Sequence, residues 1–274
     1  MKKPLTSNRS SNLFAATMLV ALSATQSAFC QDGPTLIDTK PQGVVPTKYA
    51  DISGFRVFVN VQEFDKNPKL FNSAFERIVN NIRIAVERIP KNQLSVIQST
   101  PILLVKDNSS SYSLGSATNR QGGAKYYFRK TLTGDRFRGT GMVEISVKHC
   151  LSDSDSAKLR IEGNPHWLLH ELAHAYHDLA LAMEDDKIKL AYEAAIDGSL
   201  YRSTTVQLDS IGKKIDVPAI NWYAATNEKE YFAELSVVYL AESRRYPYTA
   251  RDLADYDPRG YKLISNLWKD RKLK

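Results

Sequence analysis

The sequence predicts an α+β domain, with a small, mostly antiparallel sheet ahead of a helical C-terminal half. Two patterns carry this. Short runs of alternating apolar and polar residues mark strands in the first 150 positions, and apolar residues recurring every three or four positions dominate after 165. Their order, strand–helix–strand–strand and then helices, segregates the helices against a sheet. A length of 274 residues, 43% of them hydrophobic and 24% charged, suits a globular chain with a sizeable core.

Residues 1–30 have the anatomy of a signal peptide. Lys2, Lys3 and Arg9 precede "LFAATMLVALSA" (13–24), an apolar run too short for a comfortable membrane span. Ala28 and Cys30 then offer small residues for cleavage after Cys30. The expectation is an exported protein, secreted or held in the periplasm or cell envelope. Residues 31–50, rich in Pro, Gly, Thr and Asp, are expected to form a linker or N-terminal arm. A single domain is expected over 51–274, its sheet part at about 51–160 and its helical part at about 161–274.

The first strand is "FRVFVNV" (55–61). A helix follows over "PKLFNSAFERIVNNIRIAVERIP", where Leu70, Phe71, Phe75, Ile78, Val79, Ile82 and Val86 share one stripe and Pro90 ends it. "PILLVK" (101–106) is a second strand. Residues 107–140, full of Gly, Ser, Thr and Arg, predict long loops, and "GMVEISVKH" (141–149) a third strand. Helices are expected at 165–182, 185–197, 228–243 and 258–269, with short β-like stretches at 201–217.

The charge is mild. Loss of residues 1–30 removes three basic residues and no acid from a total of 37 Lys and Arg against 30 Asp and Glu. Such a balance argues for neither a nucleic-acid partner nor a membrane surface. Of the two cysteines only Cys150 would survive cleavage, so no intrachain disulfide is expected.

The chemistry concentrates in "HWLLHELAHAYHD" (166–178), which holds four of the five histidines. His170, Glu171 and His174 spell H-E-x-x-H. Residues four apart stand one above the other on a helix, so both imidazoles can hold one Zn²⁺. Glu171, one residue along, reaches a water beside the metal rather than the metal itself, and is placed as general base. Leu168, Leu169, Leu172, Ala173 and Tyr176 make the rest of the helix apolar. His166 and His177 lie near the same stripe, four residues before His170 and three after His174, and are expected beyond the metal, at its periphery or at the surface.

Two histidines need a third protein ligand, and two glutamates compete for the place. Glu193 follows His174 after an eighteen-residue gap, with Asp197 four residues on. Glu230 has Glu234 four residues on, where an acid can orient a ligand histidine. Glu230 could instead serve a capping box opened by Asn227, and Glu193 could be an exposed partner of Lys189.

"LHELAHAYHD" followed by "WYAATNEKEYFAE" resembles the secreted zinc metallopeptidases similar to the catalytic domain of anthrax toxin lethal factor. The resemblance covers about residues 165–240 and continues more weakly through 268. It implies a zincin-like fold, a gluzincin ligand set of His170, His174 and Glu230, and Tyr223 assisting at the reacting carbonyl. The expected activity is zinc-dependent hydrolysis of a peptide or protein substrate. The alternatives are an inactive zincin-like binding module, and a zinc hydrolase acting on a non-peptide substrate. The strand at 141–149 is expected at the edge of the substrate cleft.

Overall fold

The structure is a computed structural model, and it describes residues 37–38, 47–106, 123–128, 141–151, 166–181, 185–201, 204–208, 214–220, 222–243 and 246–269. All of them belong to one compact unit, Leu36–Lys274. The expected signal peptide and most of the expected loops at 107–140 lie outside the described residues.

The protein is α+β with a mixed sheet. Six strands lie in the order β1 (Ile37–Asp38), β2 (Thr47–Ile52), β3 (Phe55–Asn60), β4 (Ile102–Val105), β6 (Met142–Ser146) and β5 (Ala124–Tyr127). The pairings β1–β2, β2–β3 and β5–β6 are antiparallel; the central pairings β3–β4 and β4–β6 are parallel. Three of the five pairings are antiparallel, as expected, and the parallel centre is the part that the expectation of a mostly antiparallel sheet did not contain. The reason is helix α2 (Pro68–Arg88), which with α3 (Lys91–Ile97) carries the chain back between β3 and β4, as a parallel pairing requires. A second, two-stranded sheet pairs β7 (Thr204–Leu208) with β8 (Lys214–Ile220).

Three further expectations change. The segment 31–50 is not wholly linker, because Ile37–Asp38 and Thr47–Ile52 pair into the sheet. The strand from Phe55 stops at Asn60, whose side chain accepts from the Gln62 and Glu63 N–H groups and starts α1 (Val61–Lys66). The strand expected to 149 stops at Ser146, whose hydroxyl accepts from His149 N–H as α4 (Val147–Leu151) begins. That strand, β6, is interior to the sheet; the edge belongs to β5, inside the segment expected to be loop.

Period-two alternation gives the sheet two apolar faces. Val57, Val59, Ile102, Leu104, Val143, Ile145 and Tyr126 pack with the helices, while Phe58, Leu103, Val105 and Met142 cluster on the other face with Tyr49 and Tyr127. Against the first face lies α2, burying Phe71, Ala74, Phe75, Ile78 and Ile82, although Leu70 is exposed. The helices α5 (His166–Ala180), α6 (Asp186–Asp197), α7 (Glu228–Leu240), α8 (Ala250–Tyr256) and α9 (Pro258–Leu267) form the rest. Helix α5 packs on α2, α3, α7, β5 and β6.

The end of α9 clasps these helices together. Trp268 stacks at 4.7 Å on Tyr176 of α5 and at 6.4 Å on Phe232 of α7, and its indole N–H donates to Ser236 Oγ. The Gln93 amide of α3 donates to the Leu267 and Lys269 carbonyls, and the Tyr176 hydroxyl to Leu267 O.

Candidate metal centre

Helix α5 is buried on nearly every side. Leu168, Leu169, Leu172, Ala173 and Ala175 have 1% exposure or less. Its polar stripe is His170, His174 and Asp178, at successive i+4 steps, with Glu171 on the flank. All four are buried. Burying such groups is costly unless they are partnered, and their main partners come from other elements.

Helix α7 brings the main one. Its first turn is fixed by Asn227, whose side chain accepts from the Lys229 and Glu230 N–H groups. The Glu230 carboxylate turns to the histidines: Oε2 lies 3.0 Å from His170 Nε2 and 3.2 Å from His174 Nε2, and the two Nε2 atoms are 3.1 Å apart. Three ligand-type atoms from two helices thus converge within 4.8 Å. Glu193, the competing ligand, is exposed on α6 and takes no part, as is Asp197.

One turn on, Glu234 places Oε1 2.8 Å from His170 Nδ1. This contact sets the tautomer. With Nδ1–H donating to Glu234, His170 Nε2 carries a lone pair, and it faces the Glu230 oxygen. Two acceptors at 3.0 Å need a cation between them, either a proton or a metal ion. Without a metal, the proton wins: burial lowers the His170 pKa, but hydrogen bonds to Glu230 and Glu234 outweigh it and raise it above the ordinary histidine value. Burial raises the Glu230 carboxyl, and its bonds to His170 and His174 overcome this and bring it below the usual range. Two imidazoles and one carboxylate, with a carboxylate behind one ring, fit Zn²⁺ and leave a coordination place free.

Glu171 stands apart from the cluster. It is 7% exposed, and burial pushes its carboxyl pKa up, against the opposing pull of His170 and His174 and a backbone hydrogen bond from Tyr126. Tyr126 belongs to edge strand β5, and its hydroxyl donates to Asp178 Oδ2 at 3.0 Å. The same alternation turns Phe128, just past β5, towards α5, where its ring lies edge-on at 6.0 Å to His174.

Tyr223 opens a single 3-10 turn, Tyr223–Ala225, before α7. Its neighbour Trp222 is buried, but Tyr223 itself is 53% exposed, with its ring 5.7 Å from that of His170. Burial and the charges of Glu230 and Glu171 push its hydroxyl up to about 12, so it remains a proton donor at neutral pH. His177 is buried rather than at the surface, 4.9 Å from the Phe232 ring and outside the metal cluster. The His166 side chain is outside the described residues.

The residues that sequence reasoning missed are Asp178, Tyr126, Phe128 and Lys229. Asp178 carried a signal, the i+4 step from His174. Tyr126 and Phe128 carried none, lying in a stretch whose composition reads as loop. No family model, curated protein or solved structure matches the chain.

Proposed function

We propose that the protein is a zinc-dependent peptidase of zincin-like fold. The observation that carries the reading is the convergence of His170 Nε2, His174 Nε2 and a Glu230 oxygen, with Glu234 braced behind His170. His170, His174 and Glu230 would hold Zn²⁺. When bound, the ion supplies Lewis acidity, polarising a carbonyl and acidifying a water. Glu171 takes a proton from the attacking water as the carbon–oxygen bond forms, and delivers it to the amide nitrogen as the carbon–nitrogen bond breaks. Its raised pKa suits both directions of that transfer. The Tyr223 hydroxyl donates to the carbonyl oxygen as charge develops there.

Strand β5 suits an extended substrate. It ends the sheet beside α5, and its outer edge carries the Tyr126 N–H that meets Glu171. A peptide adding to this edge would lie along the site. We place the activity outside the cytoplasm, after cleavage at residue 30; N-terminal sequencing of the exported chain should find Gln31 first.

The deciding experiment compares three variants. Glu171→Gln should keep one zinc per chain and lose peptide cleavage by a factor of about 10³ or more. Glu230→Ala should lose the metal, and Glu193→Ala should keep it. Cleavage by the Glu171→Gln protein, or zinc retained by Glu230→Ala, would sink the reading.

A further inference from the structure

Lys229 stands beside Glu230 in the first turn of α7, half-buried. Among the described residues it forms no ion pair, and its side chain rests on the face of Phe128, with Nζ 5.6 Å from the ring centroid. The surrounding carboxylates are committed elsewhere. Glu230 faces the two histidines, Glu234 faces His170 Nδ1, and Glu171 accepts from the Tyr126 N–H. Glu228 and Asp185 also act on this side of α5, where their charges are felt at His177, but neither closes on Lys229.

An ammonium has three donors, and a ring face satisfies one direction. The rest point to a ligand acceptor. The position matters as much as the charge. Two aromatic rings flank the metal-site histidines, Tyr223 beside His170 and Phe128 beside His174, and Lys229 is fastened to the second. Phe128 also directly follows the edge strand along which a peptide would run.

We propose that Lys229, backed by Phe128, receives a carboxylate of the substrate next to the bond that is cut, so that the site selects peptides with a negative charge there. This rests on the peptide-hydrolysis reading. The carboxylate has two sources, an Asp or Glu side chain or the free C-terminus.

Binding to the Glu171→Gln protein separates specificity from turnover. Fluorescent hexapeptides are paired so that members differ only by Glu against Gln at one position, or by a free against an amidated C-terminus. One acidic member should bind about five- to tenfold more tightly than its neutral partner, less so at high salt. The pair that shows the difference names the source. Adding Lys229→Met should bring the ratio to about one, and Lys229→Glu should reverse it in favour of a Lys-bearing peptide, which a merely structural lysine would not do. Equal binding within every pair, no binding at all, or a preference that survives Lys229→Met overturns the proposal. If the preference holds while zinc-loaded wild type cleaves no peptide, the carboxylate receptor stands and the hydrolysis reading falls.

Discussion

His177 lies fully buried against the Phe232 ring, and neither of its ring nitrogens has a hydrogen-bond partner among the described residues. Burial, helped by the charges of His174 and Lys229, lowers its pKa from 6.5 to about 4. Above the unfolded value the ring is neutral in both states and pH has no effect through it. Between 6.5 and 4 the unfolded chain takes up a proton that the folded chain refuses, so stability falls as pH falls. By the lower end the loss through this one residue is about 3 kcal/mol. His177→Leu, close in volume, should flatten the fall of urea midpoints across that window; an unchanged slope would assign the acid sensitivity to other groups. From sequence, the i+4 spacing sufficed to align His170 and His174, because helix geometry alone sets it. It could not place His177, whose burial depends on Phe232 from a helix more than fifty positions away. Nor could spacing choose between Glu230 and Glu193, since both follow the histidines on helices and only packing shows which helix turns inward.

Strand β5 is the element that sequence reading lost. It has four residues in a Gly-, Ser- and Arg-rich stretch, and its order comes from pairing with β6 and contact with α5, neither of them local. Helix α8 was legible and still missed: Thr249 and Asp252 form a reciprocal capping box. Asn60 and Ser146 show the converse, where an apolar alternation runs on in sequence while a side-chain cap ends the strand. One glycine leaves room for the Tyr126 ring that ties β5 to α5. Gly141 has φ +67°, and a Cβ there would collide with the Tyr126 hydroxyl. Gly141→Ala should therefore cost about 1–3 kcal/mol through backbone strain and displacement of Tyr126 from Asp178. On the proposed peptidase reading, if the Glu171 contact moves with the strand, peptide turnover should fall further than zinc content, which metal analysis alongside kinetics would reveal. A variant with unaltered denaturation and unaltered turnover would show that Tyr126 yields without cost.

At the scale of the whole molecule, no helix among the described residues is long and apolar enough to cross a membrane. The segregated sheet and helices were visible in the periodicities, but the parallel centre of the sheet was not, because two strands of like pattern pair equally well in either direction on paper. The docking of α9 was likewise invisible: its helical pattern is plain, while its partners Gln93, Tyr176 and Ser236 look unremarkable in sequence. Trp268→Ala removes a fully buried ring wedged between α5 and α7, and should cost about 3–5 kcal/mol, seen as a lowered thermal midpoint. A midpoint shift of only a degree or two would mean that α5 and α7 hold without it.

That clasp also sets an order of events. The histidines of α5 leave the ribosome long before Glu230, and Tyr176 waits 91 residues for the carbonyl of Leu267. A growing chain carries both imidazoles with no glutamate opposite and no indole to draw the helices together. The three ligand-type atoms can converge only once Glu230 has been made, and the helices that carry them are clasped only when Trp268 follows.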